Sequence, residues 1–67
     1  MNYLVIELQT NEEGQTSNIV TSYNDINQAE SKYYTVLAAA AISNVKKHAA
    51  VLLDAEGGFI RSDGYEH

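Results

Sequence analysis

A chain of 67 residues and 7.4 kDa has room for one small domain, residues 1–67, because folding at this size buries only about 60% of the surface that the unfolded chain exposes. Nine acidic against four basic side chains leave a formal charge of −5, which argues against generic DNA binding or a broad grip on an anionic membrane. The absence of cysteine removes disulfides, thiolate nucleophiles and cysteine-ligated zinc, so stability has to come from packing, shared between subunits.

The segment Tyr3–Thr10 places Leu4, Ile6 and Leu8 on one face and is rich in residues that suit a pleated strand. Asn11-Glu12-Glu13-Gly14 supplies turn formers, and Ser17–Tyr23 follows with Ile19, Thr21 and Tyr23 on one side, so the two runs predict a β-hairpin. Asn24 or Asp25 then caps a helix, with Gln28 as the reciprocal partner of Asp25 in a capping box. The helix is expected from Ile26 to about Asn44, with Lys46 and Lys47 answering its negative end. A short apolar run, Ala49–Leu53, a turn at Asp54–Gly58 and a return strand, Phe59–Ser62, predict a second hairpin. Asp63–His67 reads as a fraying polar end that Tyr65 anchors.

The predicted fold class is therefore α+β. The order is β-hairpin, one long helix, β-hairpin (ββαββ), with the helix packed on one face of a four-stranded sheet. Proteins with a β-grasp arrangement share this element order, and periodicity alone leaves both a mixed and an antiparallel sheet open. The first ten residues contain Glu7 and lack a basic segment or cleavage pattern, and no apolar run approaches the roughly 20 residues of a membrane span, so no membrane association and a cytoplasmic address are expected.

On a helical wheel Ile26, Ala29, Tyr33, Val36, Leu37 and Ala40 form the expected core stripe. A second stripe of Tyr34, Ala38, Ala41 and Ile42 adjoins it, widening the apolar arc to roughly 240° where a surface helix needs little more than about 100°. The strands also alternate apolar groups onto both sheet faces, and one helix covers only one of them. Both features predict a homo-oligomer, with Tyr34, Ala38, Ala41 and Ile42 at its interface.

Lys46, Lys47 and His48 form the densest positive spot in the sequence, and Arg61 on the neighbouring strand makes a fourth donor for phosphate oxygens. Five tyrosines against one Phe and no Trp supply flat rings with a polar tip; Tyr34 and Tyr65 lie off the core stripe and join the candidate ligand-binding set. Glu30, Ser31 and Lys32 cannot form a hydrolase triad, since adjacent helix positions diverge. Two histidines without a second ligand pair at metal spacing leave no metal site and no cofactor to expect. Gly57-Gly58 lacks the helix and lysine of a phosphate loop, and no catalytic constellation is found, so the chain is not expected to be an enzyme.

The helix segment Asn27–Ala41, the run His48–Leu53 and Arg61-Ser62 with Tyr65 and His67 resemble small uncharacterised proteins encoded by phages and prophages of gut bacteria. That resemblance implies an infected bacterial host cell as the setting. In general design such a chain is similar to phage sponges that sequester nucleotide immune signals. It implies a non-enzymatic, homo-oligomeric anti-defence accessory protein that holds a small nucleotide-like ligand through Tyr34, Tyr65, Lys46, Lys47, His48 and Arg61. The alternative is a protein-protein interaction module, a phage-encoded inhibitor or structural accessory acting through an exposed apolar or acidic face.

Overall fold

Both hairpins close with one five-residue device. In the first, the Asn11 side-chain oxygen accepts the N–H groups of Glu13 and Gln15 at 3.0 Å each, and Gly14 turns the chain at φ +82°. In the second, the Asp54 carboxylate accepts those of Glu56 and Gly58 at 2.9 and 2.8 Å, with Gly57 at φ +87°. An Asx side chain that replaces missing backbone partners, followed three residues later by a glycine free to take positive φ, is a turn with a stated mechanism. The computed structural model describes residues 2–67. Its elements are β1 (Tyr3–Thr10), β2 (Thr16–Tyr23), α1 (Ile26–Ala41), β3 (Lys47–Asp54) and β4 (Phe59–Glu66).

The architecture is the expected α+β, ββαββ arrangement: one four-stranded sheet in the order β2-β1-β3-β4, with all three pairings antiparallel. Because α1 joins β2 to β3 across β1, the first and third strands form the centre of the sheet and β2 and β4 its edges. The core stripe is as expected, with Ala29, Tyr33, Val36 and Ala40 buried and Ile26 and Leu37 partly buried against Val5, Ala50 and Leu52. Three of the seven buried hydrophobic residues are alanines, and the largest fully buried side chains are Leu52 and Val5, so the core is thin.

Several limits differ from the sequence expectation, β3 starting at Lys47 rather than Ala49 among them. The helix ends at Ala41 rather than near Asn44, because the N–H groups of Ile42 and Ser43 fall back to Ala39 and Ala40 at 3.3 Å, tightening the last turn. Lys46 and Lys47 therefore do not cap the helix; its last turn holds no basic residue. At the other end, Asp25 caps α1, but its carboxylate accepts the N–H of Asn27 at 2.9 Å, one residue short of the Gln28 N–H that a capping box uses. The final residues do not fray. β4 continues to Glu66 along β3, and the His67 N–H donates to the Lys46 carbonyl at 2.8 Å. A bulge at Leu52/Leu53 lets β4 carry one extra residue near Ile60.

Strand alternation then assigns every side chain to one of two faces. The covered face, under α1, runs in cross-strand rows such as Thr21-Val5-Leu52-Arg61 and Ser17-Gln9-His48-Tyr65. The open face carries Val20-Ile6-Val51-Ser62 and Asn18-Leu8-Ala49-Gly64, flanked by Leu4 and Leu53 at one end.

Candidate functional site

Three clusters hold the polar side chains. The first is buried under the end of α1. His48 is 4% exposed on the covered face of β3, and its Nε2 lies 2.6 Å from Glu7 Oε2 on β1. Burial alone would raise the Glu7 carboxyl, but hydrogen bonds from His48 and Gln9 and the positive field of His48 and Lys32 hold it below its ordinary value. An ionised carboxylate has no proton to give, so His48 Nε2–H is the donor. His48 Nδ1 meets the Ser43 hydroxyl at 3.1 Å, a bond that the hydroxyl donates to a neutral ring and accepts from a protonated one, and Ser43 Oγ accepts the Val45 N–H at 3.1 Å. This chain of bonds ties the α1–β3 connection to the central strand. Ser43 is held as a latch between the Val45 N–H and the imidazole.

The second cluster lies at the opposite end of the covered face. Arg61 on β4 donates to Tyr34 Oη at 3.0 Å and pairs with Glu30 at 3.1 Å, clamping the edge strand to α1. Tyr34 packs edge-on against Tyr33, with ring centroids 5.1 Å apart. Burial pushes the Tyr33 phenol up, with Asp63 and Tyr34 adding to the rise and Arg61 opposing it.

The third is a cleft of about 510 Å³ where α1 stops short of the sheet end. Its walls are the β1–β2 hairpin, with Gln9, Asn11, Glu12, Gln15 and Ser17, and the α1–β3 connection, with Asn44, Val45 and Lys46. Amides and hydroxyls dominate, and the ionised groups among these are one carboxylate, Glu12, and one ammonium, Lys46. Gln9 also donates to Glu7 at 3.0 Å, so the cleft wall connects directly to the buried latch.

The six residues predicted to bind ligand are not brought into one site. Lys46 alone lines the cleft. Lys47 projects from the opposite face and pairs loosely with Glu66 at 3.8 Å, both side chains being well exposed, while His48 points inward to Glu7. Tyr65 lies opposite His48 on β4 and stacks on His67 with ring centroids 6.3 Å apart. Arg61 faces Leu52, five positions along β3 from Lys47 and about 16 Å away at about 3.3 Å per residue. Adjacency in sequence had suggested one phosphate cluster; the period of two along a strand sends Lys47 and His48 to opposite faces. Of the predicted interface residues, Tyr34, Ala38, Ala41 and Ile42 are all exposed, Ile42 at 90%.

Sequence reasoning missed Glu7, Ser43 and the cleft amides Gln9, Gln15 and Asn44. Glu7 shares the strand face of Tyr3 and Val5, the one that turns under the helix, whereas the alternation in sequence points to Leu4, Ile6 and Leu8 as the apolar face. Among the described residues no group of three or more His, Asp or Glu side chains is placed to hold a metal ion, and no helix is long and apolar enough to cross a membrane. Neither protein-family models, nor curated proteins, nor solved structures match this chain.

Proposed function

We propose that the protein is a non-enzymatic binding module that, as a homo-oligomer, sequesters a small nucleotide-like ligand in the cleft between the first hairpin and the α1–β3 connection. The observation that carries this reading is the lining of that cleft. The Asn44 amide offers a paired donor and acceptor that fit a base edge, Gln9 and Gln15 add the amide capacity left beside their bonds to Glu7 and Asn11, and Ser17 adds a hydroxyl suited to a sugar. A volume of about 510 Å³ falls within the range of small-molecule sites. A single ammonium, Lys46, opposite a single carboxylate, Glu12, favours a ligand with few negative charges over a polyphosphate. In the phage setting that the resemblance implies, such a ligand is an immune signal in the infected cell cytoplasm, and holding it without turnover is the anti-defence act.

A second reading has its own support. The open sheet face is apolar at its centre, and Val20 and Phe59 on it are each more than half exposed, which favours a protein-protein module, an inhibitor or structural accessory. Isothermal titration with a panel of linear and cyclic nucleotides separates the two. The sponge reading expects saturable binding that Asn44→Ala with Lys46→Ala weakens by at least about tenfold, the loss of one or two hydrogen bonds to a charged group. No heat with any nucleotide, or binding indifferent to both substitutions, contradicts it.

A further inference from the structure

We infer that the open face of the sheet is the surface on which a second copy of this chain docks, sheet against sheet, giving a helix-sheet-sheet-helix sandwich. The inference deepens the proposed self-association and is independent of the ligand reading. It moves the interface from the helix stripe to the opposite side of the molecule.

Charge is the first argument. The chain carries a formal charge of −5, yet of the residues facing away from α1 in the sheet only Lys47 and Glu66 are ionised, and they sit side by side at one end at 3.8 Å. A face selected for a basic partner in so acidic a protein would keep some of its carboxylates there. They lie instead in the two hairpin loops, on α1, in its cap and under it, as with Glu12, Glu56, Glu30 and Glu7. A face of zero net charge is what two identical acidic subunits need in order to meet, and an isologous contact requires such self-complementarity.

Area is the second. Four strands spaced about 4.8 Å apart and eight residues long at about 3.3 Å per residue give a footprint of about 500 Å². Two such faces bury about 1,000 Å² before side-chain relief is counted, the size at which an interface becomes specific. The centre is apolar, with Ile6, Leu8, Val51 and Leu53, and the Ala49–Gly64 pair forms a low point beside Leu8. A side chain at Gly64 would come within 2.8 Å of the Ala49 methyl, so the recess is built into the backbone. Apolar sheets pack face to face about 10 Å apart with their strands roughly aligned, which this surface allows.

Sedimentation equilibrium on the full chain, across about 1–200 μM, tests the inference with two variants and two thiol probes. The expected result is a dimer that Val51→Lys weakens by at least about 100-fold while Ala41→Glu, on the helix stripe, leaves it intact. Should Val51→Lys fail to fold, single cysteines in this cysteine-free chain decide the matter. The maleimide labelling rate of Ser62→Cys, on the open face, should fall about tenfold or more as the protein concentration rises, and that of Thr35→Cys on exposed α1 should stay constant. A dimer broken by Ala41→Glu and not by Val51→Lys overturns the sheet-face interface and leaves self-association standing. A monomer at 200 μM overturns both. A dimer in which the two thiols label alike also overturns the interface.

Discussion

The two faces of the sheet differ in where their charges and their apolar side chains lie. Facing the helix, beside the buried Val5, Ala50 and Leu52, lie the buried His48, the partly buried Glu7 and the exposed Arg61 and Asp63; on the open side lie Leu4, Ile6, Leu8, Val51 and Leu53. The two ionised groups tied most closely there have partners: Glu7 accepts from His48 at 2.6 Å and Arg61 pairs with Glu30 at 3.1 Å. No buried side-chain nitrogen or oxygen among the described residues lacks a hydrogen-bond partner. The difference teaches that polar bonds add to apolar burial in fixing the helix on the sheet, through Arg61 to Glu30 and Tyr34 and His67 to the Ala40 carbonyl, above a core in which alanine is common. The open side keeps apolar side chains that no element of this chain covers.

The contrast is broken most strongly at adjacent positions of one strand. Leu52→Ala, on the covered face and fully buried, should cost about 2–5 kcal/mol in urea unfolding at any protein concentration. Val51→Ala, one residue away on the open face, should cost less in dilute solution, and its cost should grow with concentration as the dimer forms. Equal, concentration-independent losses at the two positions would remove the distinction between the faces.

Next in size is Glu7→Gln, which keeps the shape and removes the charge from the buried pair. It should cost about 1–3 kcal/mol at neutral pH, the worth of a hydrogen bond to a charged group. The same substitution tests the pH dependence. The Glu7 carboxyl is held below its ordinary 4.5 in the folded chain, so the folded state binds fewer protons than the unfolded one in the acid range. Its contribution is fully present above about pH 4.5 and is lost as pH falls through the lower, folded value. Urea unfolding from pH 7 to pH 3 should show an acid slope in the wild type that is shallower in Glu7→Gln. At the alkaline end the sign reverses. The Tyr33 phenol is raised above its ordinary 10.0, so its contribution holds below that value and is lost as pH climbs through the folded one, a loss that Tyr33→Phe should remove. Smallest is Gly57→Ala, where φ is +87°. About 1 kcal/mol is expected from the strained turn with the register of β4 unchanged, read from thermal melting and amide exchange.

Much of the fold was legible because it rests on local rules. The Asn11 and Asp54 turns, the Asp25 cap and the 3.6-residue period of Ala29, Tyr33, Val36 and Ala40 each act within a few residues. What was not legible depends on partners distant in sequence. His48 meets Glu7 across 41 residues, and only the β1–β3 register brings them together. The helix end at Ala41, where the Ile42 and Ser43 N–H groups fall back to Ala39 and Ala40, stands beside Ser43 side-chain bonds to His48 and Val45 that propensity cannot show. The site suffered most. Lys46, Lys47, His48 and Arg61 look like one patch on a line of letters, and the pleat distributes them over a cleft, an open face, a buried pair and a clamp on the helix.

Native mass spectrometry of the wild-type chain, alone and after mixing with linear and cyclic nucleotides, is the most direct measurement, since it reports subunit number and ligand mass together. The expected result is an assembly of an even number of chains that gains a discrete nucleotide mass for each cleft. A single chain that gains none at any nucleotide concentration would contradict both the assembly and the sequestering role.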